Sequence, residues 1–165
     1  MQLDPVNPGN YQNAGVTFYY AGLYDEAAAA FRKALELHPG LPIAHCMLGR
    51  IRLAQSQPRE ALAEMELEKH PALRPFGMAL AYHALGRKKE SDASLAELIA
   101  KFQADAKYQI AEVCAFRGEI DKAFEWLEGA RIDNNIEQAV GDPLLKSLEH
   151  DPRPAPLLRT MRLPR

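Results

Sequence analysis

The sequence predicts an all-α protein built from helix hairpins set end to end, and three observations carry that expectation. Turn signals recur at a regular pace: NPGN at Asn7 to Asn10, HPGLP at His38 to Pro42, KHPAL at Lys69 to Leu73, FQADA at Phe102 to Ala106, and DNN at Asp133 to Asn135. Between them lie segments of helical length, each with a weaker break midway, at Gly22, Ser56 to Pro58, Gly86 and Gly118, so each unit reads as two helices and a short turn. No run alternates polar and apolar residues as a half-buried strand would.

The elements follow in order. In the first unit Tyr11, Ala14, Gly15 and Phe18 fall on the first helix, Gly22 in the turn, Ala27 and Phe31 on the second helix, and Pro39 after it. The second unit repeats the pattern with His45, Leu48, Gly49, Arg52, Ser56, Ala61, Met65 and Pro71. The third runs Met78, Ala79, Tyr82, Gly86, Ser91 and Leu95, and the fourth Ile110, Ala111, Cys114, Gly118, Ala123 and Leu127. Two helices approach closely only where side chains are small, so Gly15, Gly49, Ala79 and Ala111 are expected to face Ala27, Ala61, Ser91 and Ala123. In the run Ala27 to Ala30, Ala27 is the contact position, Ala28 and Ala30 admit the next hairpin, and Ala29 adds helix propensity. Gly22 and Ser56 stand 34 positions apart, but Ser56 to Gly86 is 30 and Gly86 to Gly118 is 32, which predicts clipped helices or turns in the middle units. Arg52 takes a place where an aromatic is usual, its stem along the core and its head toward solvent. Past Asn135 the pattern changes: Asp142 before Pro143 signals a helix start, Leu144, Leu145 and Leu148 share a face, and PLLRTMRL suggests a second short helix. Both would cover the open face of the fourth hairpin.

The spacing of these small, aromatic and proline positions resembles the tetratricopeptide repeat signature in four units over about three-quarters of the chain. The resemblance implies a right-handed α-solenoid, a single domain over 1–165 with repeats near 8–41, 42–71, 72–103 and 104–137 and a cap over 138–165. It also implies a concave surface lined by the first helix of each pair, which takes protein or peptide ligands. Mapped on this chain, that face carries Gln12, Val16, Tyr19 and Tyr20, then Cys46 and Arg50, then Phe76, Leu80 and His83, then Tyr108, Glu112 and Phe116. Asn13 is the only asparagine there and no lysine matches it, so a Lys/Asn clamp for a terminal carboxylate is not supported. An apolar or amphipathic segment is the better ligand, anchored by aromatics with Arg50 and Glu112 fixing its direction. Tyr19→Ala with Tyr108→Ala is expected to weaken binding without lowering the thermal midpoint. Phrases such as YQIAEVCAFRGEIDKAFEWLEGA and GDPLLKSLEHDPRPAPLLRTMRLP are similar to the repeat regions that bacterial regulators join to a cyclase, DNA-binding or kinase domain. The chain is therefore expected to be a portion of a larger bacterial regulatory protein.

Composition and motifs narrow the function. With 20 basic against 22 acidic residues there is no broad positive field, which argues against nucleic acid. No segment offers the roughly 20 apolar residues of a membrane span, and the start lacks the pattern of a signal peptide, so a cytoplasmic location is expected. Cys46 and Cys114 read as buried free thiols. His38, His70 and His150 sit at turns where they cap helix ends; His45 beside Cys46 is a poor chelate. Asp25 and Glu26 open a helix, and Glu64, Glu66 and Glu68 read as a solvated face. Arg153, Arg159, Arg162 and Arg165 form a basic tail, hydrated or docked on an acidic domain. No phosphate loop, nucleophile elbow or zinc spacing occurs, so no enzyme, metal or cofactor is expected. The alternative to partner binding is self-association as a homo-oligomer, because no repeat precedes the first unit to cover it.

Overall fold

The computed structural model describes residues 7–132, 142–148 and 151. It contains α1 (Pro8–Tyr20), α2 (Tyr24–Leu37), α3 (Ala44–Ala54), α4 (Pro58–Leu67), α5 (Leu73–Ala84), α6 (Lys88–Phe102), α7 (Lys107–Phe116) and α8 (Ile120–Ile132), then a 3-10 helix, Pro143–Leu148. No strand occurs among the described residues. Each helix packs on the next, and α1, α3, α5 and α7 also touch in succession along one side. That pattern is a solenoid of hairpins whose odd-numbered helices share a face.

Small side chains set the helix spacing. A methyl group added at Gly15 would lie 2.8 Å from the Phe31 ring, and one at Gly49 would lie 2.4 Å from the end of Met65. Gly77 adds a third such contact, 2.0 Å from the Met65 sulfur, so Met65 is wedged between two glycines of successive odd helices. Ala27, Ala61, Ala79, Ala111 and Ala123 are fully buried. Ser91 is buried as well and donates its hydroxyl to the Ala79 carbonyl at 2.8 Å, so its polarity is satisfied. Of the alanine run, Ala27, Ala28 and Ala30 are buried and Ala29 is exposed.

All four turns inside the hairpins end the odd helix in one way. Leu23, Gln57, Arg87 and Glu119 donate their N–H groups to the carbonyls of Phe18, Arg52, Tyr82 and Cys114 at 2.8–2.9 Å, the longer-range bond of a Schellman cap. The residue before each donor is left-handed: Gly22, Gly86 and Gly118 at φ 76°, 72° and 75°, and Ser56 at φ 60°. A serine there carries a steric strain that glycine avoids. Arg52 ends α3 half-buried, donating to Gln55 and Gln57 at 3.1 and 2.9 Å. The shortened intervals coincide with short helices: α4 and α7 have 10 residues each, against 14 in α2 and 15 in α6.

Beyond α8 the predicted start at Asp142 is present, but the turn it opens is 3-10 rather than α. Asp142 accepts from the Leu144 N–H at 2.9 Å, and Leu145 N–H reaches back three residues to the Asp142 carbonyl at 3.0 Å. Leu144, Leu145 and Leu148 are buried, the helix lies on α7, and the Ser147 hydroxyl donates to the Ala115 carbonyl at 2.9 Å. PLLRTMRL, the DNN turn, His150 and the arginines at 153, 159, 162 and 165 lie outside the described residues.

Candidate binding site on the odd-helix face

The odd helices bring the predicted face together, and its centre is closed rather than open. Tyr19 comes from α1, Arg50 from α3, Phe76 and Leu80 from α5, and Tyr108 and Glu112 from α7. Pairs four apart on one helix share a face, which aligns Phe76 with Leu80 and Tyr108 with Glu112. All six are buried. Arg50 is the hub. Its guanidinium carbon lies 5.0 Å from the Tyr19 ring centre and 5.8 Å from that of Phe76, and its Nε donates to the Tyr19 hydroxyl at 3.4 Å. Its Nη2 donates to Glu112 Oε1 at 2.8 Å and to both oxygens of Asp142 at 3.1 and 3.0 Å. The Tyr108 hydroxyl donates to the same Asp142 carboxylate at 3.0 Å.

One cation thus faces two carboxylates in a site where Arg50 is 8% exposed, Glu112 1% and Asp142 3%. Both acids cannot ionise there without leaving a net buried negative charge. Burial holds Glu112 well above the usual carboxyl range; Arg50 draws it down and Asp142 pushes it up. Burial acts the same way on Asp142, but Arg50 and hydrogen bonds from Glu112, the Leu144 N–H and Tyr108 outweigh it, and its carboxyl lies below the usual range. The proton therefore sits on Glu112. Among the described residues its Oε2 has no donor in reach, so ionised it would be an uncompensated buried oxygen, whereas the protonated acid donates to Asp142. Tyr19 and Tyr108 are raised by burial and stay neutral hydroxyls; Tyr20, half-buried beside Tyr19, is pushed up to about 12.

Gln12, Val16 and His83 are half-buried at the margin of this centre. Burial, followed by the Arg117 charge, lowers the His83 pKa, and its ring meets Phe116 edge-on at 5.7 Å. With Tyr19 and Tyr108 inside, truncating both removes core and the hydroxyl partners of Arg50 and Asp142, not solvent-facing contacts. The expectation that this pair leaves the midpoint unchanged is corrected accordingly.

Two carboxylates escaped the sequence reading. Asp142 reads locally as a helix cap, which it is, but its partners lie 92 residues away on Arg50 and 34 away on Tyr108, and nothing local marks them. The trio read as a solvated face is split: Glu66 is exposed, Glu64 pairs with His45 Nδ1 at 2.8 Å, and Glu68 is buried. Glu68 accepts from the N–H of Cys46 at 2.9 Å, capping across the hairpin a helix whose own N-cap, Ile43, is left-handed at φ 68° and has no capping side chain. It also accepts from Lys69 and His70 N–H groups at 2.9 Å. His70 caps α5 as expected of it, accepting from Ala72 and Leu73 at 3.3 and 3.4 Å. Cys46 and Cys114 are free and buried, and burial pushes them up to about 12 and about 11.

Stacked hairpins, repeated Schellman turns and a shared odd-helix face define a helical-repeat solenoid of the interaction-scaffold type. The tetratricopeptide repeat family model matches residues 13–73. Tetratricopeptide repeats are thus recognised within the first two hairpins. Its fold is similar to the crystal structure of YrrB, described as a TPR protein with an unusual peptide-binding site, at a TM-score of 0.54 and 16% identity, over 87% of this chain and 86% of that one. No match is found among curated proteins. No helix among the described residues is long and apolar enough to cross a membrane.

Proposed function

We propose that the chain is a non-catalytic module that binds a peptide segment or partner domain on its odd-helix face, within a bacterial regulatory protein of the cytoplasm. The contact residues are Gln12, Val16, Tyr19, Arg50, Phe76, Leu80, His83, Tyr108 and Glu112. One observation carries the reading: four successive odd helices converge on Arg50, and the side chains around it already seat a short stretch of polypeptide by its carboxylate and leucines. A peptide-binding site on the similar solenoid YrrB supports the same use of the fold.

The test is a peptide-display selection against the full chain, followed by affinity measurement. Enriched peptides should lose at least about tenfold in affinity to Gln12→Ala/Val16→Thr/His83→Ala, about 1.4 kcal/mol of binding. The triple variant should keep the circular dichroism of the parent. Unchanged affinity would remove this face from the function.

A further inference from the structure

We propose that Arg50, with the hydroxyls of Tyr19 and Tyr108, forms an aspartate-reading site. Its ligand class is a partner segment in which an aspartate precedes apolar residues, and Asp142 of this chain occupies the site in the partner's place. The proposal rests on the peptide-binding reading above and names the chemistry that such a ligand would bring.

The cup and its occupant come from different parts of the chain. Among the described residues, the groups that touch the Asp142 carboxylate from across the site belong to the repeats: Arg50 Nη2 on α3 and the Tyr108 hydroxyl on α7, with Glu112 beside them. Tyr19 on α1 backs the guanidinium. These residues are in place before the chain has passed α8. Asp142 arrives afterwards, joined to α8 through residues 133–141.

The occupant has the footprint of a short linear motif. A carboxylate goes to Arg50, Pro143 restricts the backbone after it, and Leu144, Leu145 and Leu148 bury against α7, while Lys146 and Ser147 stay exposed. Charged hydrogen bonds fix the register and apolar burial supplies affinity, as in other peptide recognition. The seated element is a single short 3-10 helix, a poor unit of secondary structure by itself, so its side chains hold it in place. Such an element opens locally without unfolding the stack.

Tethering sets the threshold for a competitor. A ligand on a short linker acts at an effective concentration of roughly millimolar order. A free segment of equal chemistry therefore binds the wild-type chain with an affinity reduced by the fraction of molecules whose site is open. Releasing Asp142 removes that reduction.

The experiment uses the full chain, wild type and Asp142→Asn/Leu144→Ser/Leu145→Ser, and a fluorescein-labelled peptide of residues 140–151 read by anisotropy. The released variant should bind the peptide at least about tenfold more tightly than wild type. A peptide carrying asparagine in place of its aspartate should lose that gain. Equal binding to both chains, or indifference to the aspartate, overturns the proposal while leaving a peptide-binding face intact. If neither chain binds this peptide or any peptide from the display selection, the underlying reading falls with it.

Hydrogen exchange on the single variant Asp142→Asn covers the case in which the triple variant fails to fold. Amides of residues 142–148 should exchange faster while those of α3 and α7 keep their protection. Loss of protection throughout α3 and α7 would make Asp142 part of the core and overturn the proposal. A wild-type chain found dimeric by light scattering, and monomeric as Asp142→Asn, would also overturn it by making the occupant a second copy's segment.

Discussion

Replacing Glu112 with glutamine is expected to leave the protein at least as stable as wild type near pH 8 and to remove part of its pH dependence. Glutamine reproduces the protonated acid: its oxygen accepts from Arg50 where Glu112 Oε1 does at 2.8 Å, and its amide donates to Asp142. It also leaves one cation against one anion at every pH above the Asp142 titration. The wild-type site reaches that balance only by holding a proton. Burial raises Glu112 above its ordinary 4.5, so above that pH the folded chain keeps a proton that the unfolded chain releases. Stability then falls as pH rises from 4.5 through the folded value, by up to about 1.4 kcal/mol per pH unit, or roughly 3–6 °C in midpoint for a chain of this size. Asp142 works in the other direction: its carboxyl lies below the ordinary 3.8, so its contribution is lost only as pH falls beneath that value. Urea unfolding of wild type and Glu112→Gln at pH 5, 6, 7 and 8 isolates the effect, because other titrating groups cancel in the difference. The gap should widen in favour of glutamine with rising pH. Parallel curves, with glutamine worse by about 3 kcal/mol throughout, would mean that Glu112 is an ionised partner of Arg50 and that the proton is elsewhere.

Two further outcomes probe the scaffold. Ser56→Gly should stabilise by about 1 kcal/mol and raise the thermal midpoint by a few degrees, because Ser56 holds a left-handed position that its three counterparts fill with glycine. Gly77→Ala should destabilise by about 1–3 kcal/mol, since its methyl would sit 2.0 Å from the Met65 sulfur; Met65→Ala in the same chain should recover part of that loss in a thermal melt.

What was legible in the sequence followed from local rules repeated four times. Turn glycines, small contact residues and helix-length segments are each encoded within about one hairpin, and Ala27, Ala61, Ala79 and Ala111 are all buried, with Ser91 bonded to Ala79 as the spacing predicts, although Gly15 and Gly49 meet Phe31 and Met65 first. Gly77 escaped because the repeat signature marks the neighbouring Ala79, whereas the need for a glycine arises from Met65 in the preceding hairpin. The candidate face was legible as a set of residues but not as an environment. Periodicity puts Tyr19, Arg50, Phe76, Tyr108 and Glu112 on one side; it says nothing of what covers that side. An arginine and a glutamate standing alone among aromatic and aliphatic positions were the available hint of a buried pair. Their third partner, Asp142, carries a complete local explanation as a cap, and so gave no reason to look further.

The same cluster changes how a stack of repeats should behave. In an ordinary solenoid each repeat contacts only its neighbours, and stability is close to a sum of local terms. Here Arg50 joins α3 to α7 across 62 residues and to Asp142 across 92, while its contact with Tyr19 ties in α1. Removing Arg50 leaves two buried acids and the Tyr19 hydroxyl without their partner, a penalty shared by α1, α3 and α7. The face that would take a ligand is therefore also what couples the two ends of the stack. A segment that replaces Asp142 must supply a carboxylate to the guanidinium that the repeats themselves hold in place through Tyr19, Phe76 and Glu112, so the ligand is selected by the charge the repeats leave unanswered.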